Sequence, residues 1–236
     1  MIKAVVFDAY GTLFDVYAIS ALAERLYPAH GASISTLWRD KQIEYTRLIS
    51  LSDPHNPAGS RHYMPFWEIT RLALRYTLAR LKLDLTVQNE DALMGQYAHL
   101  TAFPENLGVL QALKAQGFAT AILSNGNPEM LDSAVTAAGM DKLLDHVISV
   151  DEIKQFKTSP NSYALVTQYF PVQNDEILFV SSNAWDALGA TWHGFQTLWV
   201  NRQGLPQETL GPKPSFTGSN LSGVLDVLKI KNEQHG

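Results

Sequence analysis

Asp8 ends the apolar run 4–7 in the stretch VVFDAYGTL (5–13). A carboxylate at the end of a buried strand is a candidate nucleophile for covalent catalysis. Alone, an Asp in that place more often makes a turn by bonding its own backbone. Three further stretches change the balance. LSNGNP (123–128) follows a second apolar run and opens a helix; its Ser124 hydroxyl and loop N–H groups can hold an anion. FKTSPNSY (156–163) offers Lys157 just before a helix, where a lysine by itself is usually solvated. FVSSNAWDA (179–187) follows another strand with Ser181, Asn183 and Asp186; on its own Asp186 reads as a first-turn acid that suits the helix dipole. Four polar clusters at strand ends of one sheet converge in space, which the isolated readings do not explain. Tyr10, two residues after Asp8, must project near it. None of the seven histidines falls in these stretches and no G-x-S-x-G elbow is present, so a His-dependent hydrolase is not expected.

The elements that position these residues follow from apolar patterning. Continuous β-branched runs at 3–7, 119–123, 146–150, 177–180 and 197–200 read as strands buried on both faces. Helical stripes fall between them. One is Leu131, Ala134, Val135 and Ala138, with Asn127 as cap, Pro128 in the first turn and Gly139 at the stop. The others are Trp185, Leu188, Gly189 and Trp192, then Leu221, Val224, Leu225 and Leu228. Alternating strand and helix predicts an α/β fold with a doubly wound parallel sheet. Residues 15–100 break the rhythm. Trp38, Gln42, Tyr45 and Ile49 share one helix face, and Phe66, Ile69, Ala73, Tyr76 and Leu83 recur at helical spacing. A Pro/Gly-rich loop, 52–65, separates them. The expectation is a helical cap at 15–100 inserted into a core made of 1–14 and 101–236. Its helices would cover the carboxyl ends of the strands, where open α/β sheets bind ligands.

Composition narrows the partners. The chain has 236 residues, 46% hydrophobic, 17% charged and a net charge of -5. No Lys/Arg-rich run provides a footprint for nucleic acid. No apolar stretch is long enough for a membrane span, and the short run after Met1 is no signal peptide. Cysteine is absent, which excludes disulfides, thiolate ligands and a Cys nucleophile. A cytoplasmic protein acting on a small molecule is expected.

With these stretches in view, the whole chain resembles the haloacid dehalogenase superfamily. Asp8 with Thr12 is similar to its first motif, Ser124 to its second, Lys157 to its third and 181–186 to its fourth. Phosphatases of that superfamily carry Asp-x-Asp in the first motif, and here Tyr10 stands at the second acid. Ser181 and Ser182 stand near where the fourth motif usually supplies acids for magnesium, an ion that needs oxygen ligands to offset its charge. A phosphoryl group without that ion loses its charge clamp. A phosphate substrate is therefore not expected, nor is a metal or any other cofactor.

These substitutions resemble the L-2-haloacid dehalogenase branch, as do FDAYGTLFDV, LWRDKQIEY, ILSNGNP and SSNAWDALGA. The resemblance implies hydrolysis of short (S)-2-haloalkanoic acids to (R)-2-hydroxy acids through an aspartyl ester. It implies that Asp8 is the nucleophile, that Arg39 receives the halide, and that Ser124 and Asn125 bind the substrate carboxylate. Lys157 pairs with the acids; Thr12, Tyr163, Ser181 and Asn183 support the site; Asp186 helps with the hydrolytic water. Tyr10, Ile43, Phe66 and Trp185 would wall the halogen and alkyl pocket. A homodimer is the family's common state. Two alternatives stay open: a strained-ring (azetidine-type) carboxylate hydrolase of the same branch, and a phosphatase or phosphorylated module of the superfamily.

Overall fold

The computed structural model describes residues 1–16 and 18–229. Six parallel strands form one sheet in the order β3-β2-β1-β4-β5-β6. They are β1 (Ala4–Phe7), β2 (Ala119–Ser124), β3 (His146–Ser149), β4 (Ile177–Ser181), β5 (Gln196–Val200) and β6 (Phe216–Gly218). β1, β4 and most of β2 and β5 are buried, as their unbroken apolar runs require. Between β1 and β4 the strand order reverses, which opens a crevice at their carboxyl ends. Five strands fall where the apolar runs place them. β6 was not expected: it has three residues, none buried, and is held only as an edge against β5.

Helices α1 (Ala18–Leu26), α2 (Gly31–Ser52), α3 (Phe66–Arg80) and α4 (Val87–Ala98) occupy the stretch between β1 and α5 (Asn106–Ala115). α2 packs along α3, and α1 packs on α2 and α4. Buried polar groups fix the α2–α3 register: Trp38 Nε1 donates to the Thr70 carbonyl at 2.7 Å, and Gln42 Nε2 donates to Thr70 Oγ1 at 2.9 Å. Phe66, Ile69 and Ala73 are buried, whereas Tyr76 faces outward and Leu83 lies beyond the helix end.

The remaining helices are α6 (Pro128–Ala137), α7 (Pro160–Ala164), α8 (Val166–Tyr169), α9 (Ala184–His193) and α10 (Gly223–Leu228). α9 departs from the expected stripe. Its buried face is Asp186, Ala187, Leu188, Gly189 and Ala190, and Trp192 is 56% exposed. The small residues let it approach α7: a Cβ on Gly189 would lie 2.5 Å from Tyr163 Oη. Asn127 sits at the start of α6, but its side chain makes no capping bond there. Its Oδ1 instead accepts from the Trp67 backbone N–H at 3.2 Å, in the first turn of α3, and its Nδ2 donates to Glu129. The residue expected to cap its own helix therefore ties a helix of the 15–100 segment to the sheet side.

Candidate active site

Asp8 leaves β1 with its N–H donating to the Val180 carbonyl of β4 at 2.9 Å, so its backbone sits at the switch point. The chain then turns sharply. Gly11 adopts φ 91°, a conformation side chains disfavour, and the N–H groups of Thr12, Leu13 and Phe14 all donate to the Ala9 carbonyl. That turn brings Thr12 back over Asp8. Thr12 Oγ1 donates to Asp8 Oδ2 at 2.9 Å and accepts from the Ser182 N–H at 2.8 Å. Asn183 Nδ2 donates to the same Asp8 oxygen at 2.8 Å. Ser181 Oγ accepts from the Asn183 N–H at 3.1 Å, which shapes the loop after β4. Asp8 is 6% exposed, and its carboxylate is oriented by neutral donors on one oxygen and a cation on the other.

The cation is Lys157, whose Nζ lies 3.2 Å from Asp8 Oδ1 and 2.9 Å from Asp186 Oδ2. Lys157 and Asp186 are both sealed from solvent. Burial works against the ammonium, but the charges of Asp186 and Asp8 outweigh it, and the Lys157 pKa is raised. Burial raises the Asp186 carboxyl, against the pull of the bonded Lys157. Tyr163 Oη donates to Asp186 Oδ1 at 2.7 Å; burial and that carboxylate push the phenol pKa well up, so Tyr163 keeps its proton. The backbone N–H of Lys157 donates to Asn125 Oδ1 at 2.9 Å, linking the loop after β2 to the lysine segment.

Ser124 ends β2 and accepts from the Gly126 N–H at 3.1 Å, and its own proton meets no acceptor among the described residues. Gly126 has to lack a side chain: a Cβ there would lie 2.8 Å from the Tyr10 ring. Tyr10 is buried between this loop and the helices, with Phe66 at 6.2 Å, Phe14 at 6.2 Å and Tyr97 at 5.5 Å between ring centroids. From α2, half-buried Arg39 donates through Nη2 to Asn183 Oδ1 at 3.2 Å. Ile43 and Trp185 line a cavity of about 420 Å³ that Arg39 also borders. A second cavity, of about 560 Å³, shares Arg39, Asn183 and Trp185 and is bounded further by Trp38 and Tyr97.

The structure thus brings Asp8, Thr12, Lys157, Tyr163, Ser181, Asn183 and Asp186 into one hydrogen-bonded network, with Arg39 joined to it through Asn183. Ser124 and Asn125 form the neighbouring loop, and Tyr10 with Phe66 forms an aromatic wall. Tyr97, Arg47 and Ser50 carry no signal in the sequence. Arg47 stands over the Trp185 ring at 5.4 Å. All three lie mid-helix or near a helix end with no motif around them, and only the packing of α2 and α4 reveals them.

The donor set does not suit a magnesium ion. Asp8 and Asp186 share the ammonium of Lys157, and among the described residues no three His, Cys, Asp or Glu side chains cluster for a metal. A strand-end carboxylate held by Thr, Asn and Lys, at the switch point of a parallel sheet, is the arrangement that an aspartate nucleophile needs in an α/β hydrolase. The comparisons agree. The family model of haloacid dehalogenase-like hydrolases matches residues 2–194. The chain is 40% identical over 228 residues to an (S)-2-haloacid dehalogenase of Pseudomonas sp. (strain YL), covering 97% of this chain and 95% of that one. It superposes on a crystal structure of the L-2-haloacid dehalogenase RSc1362 with a TM-score of 0.92 and 54% identity, covering 97% and 99% of the two chains. The L-2-haloacid dehalogenase from Xanthobacter autotrophicus with chloropropionic acid covalently bound gives 0.85 and 37%, again over 97% and 99%. The chain belongs to the haloacid dehalogenase-like hydrolases.

Proposed function

We propose that this protein hydrolyses short (S)-2-haloalkanoic acids to (R)-2-hydroxy acids. The observation that carries the reading is the placement of Asp8 with Arg39 one residue away, through Asn183. An Asp8 oxygen attacks carbon 2 of the substrate. The carbon–halogen bond breaks with its electron pair leaving on the halogen, and Arg39 takes up the halide. This stabilises charge that develops only as the bond breaks, where it accelerates the step rather than merely binding substrate. Ser124, through its free hydroxyl proton, and Asn125, through the amide nitrogen left over from its bond to Lys157, receive the substrate carboxylate. Tyr10, Ile43, Phe66 and Trp185 surround the alkyl group and halogen.

Water then attacks the ester carbonyl of Asp8 and the ester C–O bond at that carbonyl breaks; one water proton goes to the released hydroxyl oxygen and the other to Asp186 and on to solvent, which frees the hydroxy acid and restores the Asp8 carboxylate. Once Asp8 is an ester it carries no charge, so Lys157 is left to Asp186 alone. That change lets the Lys157–Asp186 pair, held by Tyr163, assist the incoming water. Thr12, Ser181 and Asn183 keep Asp8 in place through both steps. Residues 15–100 serve as the cap that supplies Arg39 and Ile43, over a core of 1–14 and 101–236. The chemistry needs neither metal nor organic cofactor, the protein works in the cytoplasm, and its assembly is a homodimer.

A halide-release assay across chloro- and bromo-carboxylates of both hands tests the reading. Release from the (S) acids, with no release of phosphate from p-nitrophenyl phosphate plus magnesium, is expected. Phosphate release without halide release would overturn it in favour of a phosphatase. Hydrolysis of azetidine-2-carboxylate without halide release would favour the ring-opening alternative.

A further inference from the structure

Tyr97 lies in the last turn of α4 and is 3% exposed. Its ring packs against Tyr10 and, with centroids 5.8 Å apart, against Trp38. Its hydroxyl is buried and, among the described residues, meets no partner in good hydrogen-bonding geometry, although the Arg39 and Gln42 side chains lie close enough to donate to its oxygen; its own proton is left without an acceptor. Buried phenols usually find a partner, so an unpartnered one asks what it is for. Arg39 and Gln42 border the same cavity as Tyr97. The Gln42 amide nitrogen is already committed to Thr70. Burial raises the Tyr97 pKa, and the nearby Arg39 charge only partly offsets it, so the phenol keeps a proton to donate.

We propose that the Tyr97 hydroxyl is a second donor to the departing halide, alongside Arg39, and helps set which halogens are cleaved. This rests on the dehalogenase reading above. As the carbon–halogen bond breaks, both its electrons leave on the halogen, and the new Asp8–carbon bond takes its place. No proton moves: a phenol is far too weak an acid to protonate a halide, so Tyr97 contributes a hydrogen bond only. A hydrogen bond to an ion is stronger than one between neutral groups. It gains more on a small, charge-dense ion, so chloride draws more from Tyr97 than bromide does.

Tyr97→Phe removes a single oxygen that makes no well-formed hydrogen bond in the free protein and keeps the ring that packs on Tyr10 and Trp38, so the fold is kept and the melting temperature changes little. The measurement is kcat/KM for 2-chloropropionate and for 2-bromopropionate, which reports steps up to halide displacement and not ester hydrolysis. The expected result is a loss of about 10-fold or more with the chloro acid, a smaller loss with the bromo acid, and weaker product inhibition by chloride. No loss, or equal losses with unchanged chloride inhibition, would overturn the proposal. If the variant melts lower, the chloro-to-bromo ratio of its folded fraction still decides. Wild-type protein that releases halide from neither acid would overturn the dehalogenase reading itself, and this inference with it.

Discussion

Ser50 Oγ, near the end of α2, accepts a hydrogen bond from the backbone N–H of Phe156 at 2.8 Å and faces its carbonyl at 3.4 Å. The helix that carries Arg39 is thereby tied to the residue before Lys157. The 52–65 loop reinforces the tie. Tyr63 stacks on Phe156 with ring centroids 5.1 Å apart and donates to Asp151 at 2.6 Å, and the Ser60 N–H donates to the Lys154 carbonyl. Gly59, at φ 85°, makes this docking possible, since a Cβ there would run into the Ile153 carbonyl. Arg39 and Lys157 are thus held in one frame.

Ser50→Ala is expected to leave the Phe156 N–H without its partner. Stability should fall by about 1–3 kcal/mol, the usual penalty for an orphaned donor. Urea unfolding checks this. The same variant should lose kcat more than it raises KM, because it loosens the alignment of Arg39 with Lys157 rather than the substrate's own contacts. An unchanged urea midpoint would contradict the frame.

Lys157→Met should fold poorly. It leaves Asp8 and Asp186 buried against each other without a counter-charge, a change worth about 3–5 kcal/mol. The pH dependence follows from the raised Lys157 pKa. A cation whose folded pKa lies above its unfolded value stabilises fully below the unfolded value, about 10.4. That contribution is lost only as pH rises through the still higher folded value. The stability gap between wild type and Lys157→Met should therefore stay constant from neutral pH to about 10 and shrink above it. Thermal melts across that range decide; a gap that closes near pH 8 would contradict the raised pKa.

Much of this site was legible because its residues stand at strand ends. Asp8, Ser124, Lys157 and the 181–186 stretch each follow or adjoin an apolar run, and a parallel sheet brings such ends together. What escaped were contacts between elements far apart in sequence. Nothing around Asn127 says that it accepts from Trp67 rather than from its own helix, and nothing around Ser50 points to Phe156. β6 has no apolar run to announce it, because an exposed edge strand needs none. Trp192 fits the helical stripe by hydrophobicity, yet the buried face of α9 is chosen by small residues that admit Tyr163, and the tryptophan turns outward.

Asn183→Ala should act at two points. Asp8 loses the donor at 2.8 Å and Arg39 loses the acceptor that positions it. Removing one preorganised donor commonly lowers kcat by about 10²- to 10³-fold. A loss at the upper end of that range is expected here, with a normal melting curve. A variant that only raises KM would show that Asn183 binds substrate and does not hold the nucleophile.

Dialysis against EDTA should leave wild-type activity intact. The ammonium of Lys157 already fills the space between the two carboxylates, at 3.2 Å and 2.9 Å. A clean loss of activity, restored by magnesium, would mean that this ammonium moves aside for a dication.

Stereochemistry tests the whole sequence of bonds. Asp8 can displace the halogen only from the face of carbon 2 opposite to it, because the leaving group exits in line. That inverts the centre once. Water then attacks the ester carbonyl of Asp8, so the bond between oxygen and carbon 2 is not touched again. In the proposed reaction the substrate carboxylate is anchored beside Ser124 and Asn125, and the halogen points at Arg39. With Asp8 held by Thr12, Asn183 and Lys157, only one hand of the substrate presents its back face to the attacking oxygen. L-2-Chloropropionate should give D-lactate, and the D acid should be nearly inert. Chiral chromatography of the product reads the result directly. In a single turnover in ¹⁸O-water the label should enter Asp8, while the product's new oxygen comes from the unlabelled carboxylate. L-lactate from the L acid would require two displacements at carbon 2 and would rule out an ester on Asp8. D-lactate carrying the label in the first turnover would mean that water itself attacks carbon 2.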